Sequence, residues 1–201
     1  MQRRPSNCMK PIVLTFNGKR LVDSSGRAIF RQGTTTINGD SYRTVKIGSQ
    51  EWLAENFRYS DGGEGIVTKP SAPYEGEVYY TWDAAVRVVA TAPDGWHLPS
   101  NTEWDALASA VGGASVAGTK LKSTTGWDAG NGDDSYGFAA FPAGSQYSGS
   151  FYNLGSYAYF WTATEHSSSY AYRRYFVTDT SMYSGSGNKS NGFSVRLVRT
   201  V

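Results

Sequence analysis

Side chains capable of covalent or metal chemistry are few in this chain of 201 residues: two histidines, one cysteine and a short run of carboxylates. His97 stands in GWHLPS, immediately before a helix-capping serine, a position suited to a structural hydrogen bond. His166 follows FWTATE inside a Ser/Tyr-rich stretch. Neither is accompanied by a nucleophile that it could activate, so hydrolytic chemistry has no visible machinery. Cys8 has no partner for a disulfide or a thiolate metal site and is read as a passive residue. Asp128, Asn131, Asp133 and Asp134, in WDAGNGDDSYGF, have the oxygen chemistry of a Ca²⁺ site, but their spacing is not that of an EF-hand loop. Turn residues capping backbone groups are the stronger reading. The expectation is a protein that is no enzyme and uses no metal or cofactor.

What remains is recognition without bond making. Between Ser145 and Ser190 lie eight of the 14 tyrosines, together with 11 serines. Tyrosine offers wide amphipathic contact at low rotamer cost, and serine and glycine add adaptable hydrogen bonds, which is the composition of an antibody paratope. The same mixture also marks solvated β-loops. In YAYRRYF, strand alternation places Tyr170, Tyr172 and Arg174 on one side and Ala171, Arg173 and Tyr175 on the other. The first row reads either as an exposed Tyr-Tyr-Arg surface or as cross-strand packing with the arginine paired to a carboxylate.

These residues need a frame. YYTWDAAVRVVA sets Trp82, Ala85, Val86 and Val89 at helical spacing. Ser100 and Glu103 form a capping box ahead of Trp104, Leu107, Ala108 and Val111, and Gly112-Gly113 closes that second helix. Beyond Gly118 no helical pattern continues; GTKLKS, DSYGFAAFPAG, FWTATE, YAYRRYF and GFSVRLVR read as short β segments. Phe193, Val195 and Leu197 share a face and belong to the core. The run from Val177 to Gly187 has no period and reads as a loose insert between strands. Residues 1–40, with Asn17-Gly18 as a hairpin signal, read as an N-terminal arm or small β segment before the main domain at 41–201. The class is α+β, with two helices and short antiparallel strands.

A net charge of +2 argues against a nucleic-acid footprint, and no apolar run reaches membrane-spanning length. The N-terminus lacks the apolar core of a signal peptide, which suits a phage structural protein.

The order of motifs TVKIGSQEWLAENF, YYTWDAA, DGWHLPS, GTKLKS, DSYGFAAFPAG, FWTATE, AYRRYF and GFSVRLVR resembles the Fibrobacter succinogenes major paralogous domain. That family is similar to the formylglycine-generating-enzyme branch of the C-type lectin fold. The resemblance implies that fold for about Tyr42 to Val198. It does not carry over the enzymatic activity, since the relatives use thiols in the C-terminal half and Cys8 lies at the other end. The calcium-and-sugar triplets of sugar-binding lectins are also absent. FWTATE, the Ser/Tyr-rich stretch and NKSNGFSVRLVR further resemble the variable proteins of diversity-generating retroelements, in which adenine mutagenesis diversifies the C-terminal part. From Tyr175 to Asn188 every residue except Met182 is reachable by such mutagenesis from AAC or AAT codons.

This resemblance implies a hypervariable, non-catalytic ligand-binding protein on a phage tail or bacterial surface, with a variable region at about 157–199. Its partner would be a protein or glycan on a cell surface, and its oligomeric state monomer or trimer. The implied contact residues are Tyr157, Tyr159, His166, Ser168, Tyr170, Tyr172, Arg174, Tyr175, Val177, Asp179, Ser181, Tyr183, Ser184 and Ser186. The alternative is a non-diversified surface-adhesion or structural module of the same fold.

Overall fold

The computed structural model describes residues 32–72 and 74–201; Cys8 and the Asn17-Gly18 hairpin signal lie outside them. Strand β1 (Gln32–Ile37) turns back at Asn38-Gly39 onto β2 (Asp40–Ile47). Both turn residues have positive φ, 52° and 90°, the geometry for which an Asn-Gly pair is suited. Strand pairing therefore runs across residue 40. Gly48-Ser49 then leads to β3 (Gln50–Leu53), whose other edge is taken by the chain's last strand, β11 (Val198–Thr200). The resulting antiparallel sheet has the order β1-β2-β3-β11.

A short ribbon, β4 (Ile66–Thr68) with β5 (Val78–Tyr80), precedes helix α1 (Trp82–Val89). Ala84, Ala85, Val88 and Val89 form its buried face, and the Thr81 hydroxyl caps its start by accepting from the Ala84 N–H. Helix α2 (Asn101–Ala110) carries the anticipated capping box in both directions and buries Trp104, Leu107 and Ala108. The reading of two helices needs a correction: α3 (Ala114–Leu121) starts directly after Gly112-Gly113 and takes up most of GTKLKS. Its Gly118 is required by packing, since a Cβ there would meet the Thr180 carbonyl carbon at 2.5 Å. DSYGFAAFPAG also forms no strand, only isolated bridges.

Strands β6 (Ser145–Tyr147) and β7 (Ser150–Tyr152) make a hairpin. Next come β8 (Ala158–Glu165), β9 (Tyr170–Phe176) and β10 (Met182–Asn188), an antiparallel sheet of order β10-β9-β8. The second half of the supposedly loose run is thus the edge strand β10. The architecture is mixed α+β, mostly strands, and none of the described helices is long and apolar enough to cross a membrane.

Two apolar clusters fill the interior. One gathers Tyr42, Phe57, Tyr80, Trp161 and Phe193; the other gathers Trp52, Trp104, Phe138, Phe160 and Phe176. The segment 193–198 passes between them. Phe193, Val195 and Leu197 are buried as expected, but so are Ser194 and Arg196, so this is no half-exposed strand. Buried Arg196 donates to Asn56 Oδ1 (2.9 Å) and to the carbonyls of Leu53 (2.9 Å), Phe138 (2.5 Å) and Ala139 (2.8 Å). Its guanidinium also lies 4.6 Å from the Phe138 ring centre.

Burial raises the pKa of nearby Asp134 to about 6, against its hydrogen bond from the Ala139 N–H and the charge of Arg196. Since the folded pKa exceeds the unfolded one, the folded state holds more protons, and this contribution to stability is lost as pH rises through the folded value. Urea unfolding is expected to show stability falling by about 2 kcal/mol between roughly pH 4.5 and 7 from this group, with Asp134→Asn flattening the profile. An identical slope in the variant would exclude Asp134 as its source.

Candidate functional site

The register of the three-stranded sheet sorts the anticipated contact residues onto two faces. Tyr159, Tyr175 and Tyr183 are direct cross-strand partners, as are Trp161, Arg173 and Gly185, so all six share the front face. Tyr157 joins this row by stacking on Tyr159, with ring centres 5.1 Å apart. Tyr159 then meets Tyr175 at 5.8 Å, and Tyr175 stacks on Tyr183 at 5.2 Å. Tyr159 is buried within the first apolar cluster, Tyr157 and Tyr175 are half-buried at its margin, and Tyr183 is half-buried beyond Tyr175. Such ring pairs contribute roughly 0.5–1.5 kcal/mol each beyond area burial and hold the row rigid.

Arg173 lies within this row, half-buried, its guanidinium carbon 4.6 Å from the Tyr159 ring centre, 5.3 Å from that of Tyr175 and 5.2 Å from that of Phe193. It was not among the anticipated contacts. Alternation in YAYRRYF already places it with Tyr175; what the sequence does not reveal is which of the two arginines is buried.

The back face carries Tyr170, Tyr172, Arg174, Ser184 and Ser186. Arg174 is not exposed there. It is 7% exposed, pairs with Asp105 Oδ1 at 2.9 Å and donates to the Asn101 carbonyl at 3.0 Å, tying β9 to the start of α2. The packed alternative for this arginine is the one adopted. Tyr170 is 44% exposed, Tyr172 packs edge-on against His166, and Ser184 and Ser186 are exposed. Ser168 lies in the β8–β9 turn and lines a cleft of about 550 Å³ with Ser169, Asn188, Asp83 and Glu64. His166 and Ser168 thus sit at the opposite end of the strands from the tyrosine row.

Residues 177–181 connect β9 to β10 beside the front face. Asp179 is the hub of their side chains: Oδ1 accepts from the Ser181 N–H at 2.8 Å and Oδ2 from the Tyr183 hydroxyl at 2.5 Å. That hydrogen bond raises the Tyr183 pKa. The backbone of this segment is held from outside. The Lys122 ammonium donates to the carbonyls of Val177 (2.8 Å) and Asp179 (2.6 Å), and also to that of Gly130 (2.5 Å). The Thr119 N–H donates to the Thr180 carbonyl at 3.2 Å. Gly118 and Gly130 press against Thr180 and Thr178 so closely that any Cβ would collide with their backbone. The side chains of Thr178, Asp179 and Thr180 are exposed, and those of Val177 and Ser181 are partly so.

The remaining candidates have structural duties. His97 donates from Nε2 to Glu103 Oε1 (2.5 Å) and from Nδ1 to the Gly95 carbonyl (2.8 Å). Burial lowers the His97 pKa, but these two bonds outweigh it and leave the pKa raised. Asn131, Asp133 and Asp134 accept from the backbone N–H groups of Trp127, Ser135 and Ala139, and Asp128 accepts from the Ser156 hydroxyl. Among the described residues no group of three or more His, Cys, Asp or Glu side chains converges as a metal site.

No curated protein and no solved structure matches the chain. The family model described as the Fibrobacter succinogenes major domain matches residues 45–199, from β2 to β11. The chain therefore belongs to the Fibrobacter succinogenes major domain family.

Proposed function

We propose that this protein is a non-catalytic recognition protein of C-type-lectin-like fold, diversified by a retroelement and displayed on a phage tail or bacterial surface. Its recognition face is the tyrosine row of the front face together with residues 177–181. The observation that carries this reading is how that segment is anchored. Lys122, Thr119, Gly118 and Gly130 grip its backbone, and none of them belongs to it. Backbone contacts are indifferent to side-chain identity, so substitutions here leave the anchors intact. The adjoining row of stacked tyrosines supplies rigid amphipathic contact area of the kind used by paratopes.

The coding locus tests the diversification. A second copy of the DNA for about residues 157–199, differing mainly at adenines and lying beside a reverse transcriptase gene, is expected. If the locus has neither, the protein is a fixed adhesion or structural module instead.

A further inference from the structure

We infer that Arg173 is an anion-binding point in the recognition face, and that the partner is a protein segment presenting an aspartate or glutamate carboxylate to it. The inference rests on the front face being the recognition face.

Among the described residues, every other arginine is engaged. Arg43, Arg58, Arg87, Arg174 and Arg199 each pair with a carboxylate, and Arg196 donates to an amide oxygen and three carbonyls. Among the described residues the Arg173 side chain has no carboxylate within 4.0 Å and no hydrogen bond, and its buried Nε is without a partner. Its only contacts with recognised geometry are the three rings beneath it. These rings fix the guanidinium in place, so little side-chain freedom is lost when an anion arrives. A planar guanidinium with free N–H groups matches a carboxylate in a two-point fork.

The lattice of the sheet keeps this group accessible. Its cross-strand partner is Gly185, which contributes no side chain to cover it. A Cβ at Gly185 would lie 4.0 Å from Arg173 Nε and in ordinary contact, 3.5 Å, with the Tyr175 ring. The Tyr157 and Tyr175 hydroxyls on the same face are also without hydrogen-bond partners among the described residues. A protein fits better than a saccharide because the row runs across three adjacent strands, a width of about 10 Å, with the half-buried Tyr175 and Tyr183 beside the guanidinium.

The test is selection of a displayed random 12-residue peptide library on the intact protein, with the best peptides then synthesised and titrated. Binders rich in Asp or Glu are expected, with affinity falling tenfold or more for Arg173→Gln, partly retained by Arg173→Lys, and weakened by added salt. Gly185→Leu, which keeps the charge but covers one flank of it, is expected to lose tenfold as well. Unfolding midpoints show whether each variant is folded, and the two variants disturb the fold differently.

Peptides without acidic enrichment that bind Arg173→Gln as well as the parent protein, yet fail on Tyr175→Ala, would overturn the anion site while leaving the recognition face standing. Peptides indifferent to Tyr175→Ala and Tyr183→Ala would overturn the face itself. A parallel array of uronic- and sialic-acid glycans supplies the other source of carboxylate, and binding confined to it would overturn the protein partner.

Discussion

Arg196→Leu is expected to leave the protein largely unfolded at neutral pH and room temperature. The guanidinium is fully buried and satisfies four acceptors drawn from two separate parts of the chain, Leu53 with Asn56 and Phe138 with Ala139, and ties both to its own last segment. Burial draws its pKa down to about 9, so it remains charged at pH 7. Leucine fills part of the volume but leaves three carbonyls and the Asn56 oxygen without donors. It also removes a positive charge that helps offset the burial of Glu77, whose pKa burial already raises. Each unmet acceptor costs about 1–3 kcal/mol, and stranding a buried charge costs about 3–5 kcal/mol. The total is comparable to a typical domain stability of about 5–15 kcal/mol. Lysine is not expected to rescue it, because a compact ammonium has three donors and cannot reproduce the fork. Urea unfolding followed by tryptophan fluorescence is the measurement. A variant within about 1 kcal/mol of the parent would show that water or rearrangement satisfies these groups.

Lys122→Met is the second large effect, and its meaning lies in a comparison. Methionine keeps most of the side-chain volume, yet it removes the donor to the carbonyls of Gly130, Val177 and Asp179. A loss of about 2–4 kcal/mol is expected. Simultaneous replacement of Val177, Asp179, Ser181, Ser184 and Ser186 by other small or polar residues is expected to cost only about 1 kcal/mol, mostly from the Asp179 hydrogen bonds. Thermal or urea unfolding of the two variants gives the order directly. If the five-residue replacement proves the more damaging, the side chains hold the segment, and its tolerance of variation has no physical basis.

Helix α2 could be read from sequence because its capping box and apolar spacing are local facts. Helix α3 could not: Gly112-Gly113 is a stop signal and Gly118 a breaker, while the reason for Gly118 is a close approach to Thr180, remote in sequence. The alternation of YAYRRYF separated the two faces of β9 correctly but not their fates. Arg174 is closed off by Asp105 and Asn101 of α2, a tertiary contact that no neighbouring residue announces. Strand β10 was hidden for a different reason. Its front-face positions after Tyr183 are Gly185 and the buried Gly187, where a Cβ would meet the Phe193 ring at 2.8 Å. The core there is filled by side chains from other segments, so the strand has little apolar period of its own.

Strand β11 pairs with β3, and Arg196 precedes it by two residues, so the parts that close the domain are made after the proposed recognition segment. A polypeptide that stops early or slips out of frame anywhere between Tyr157 and Asn188 therefore lacks its own latch. Defective products of a changeable segment would be removed by misfolding before any of them reached a partner.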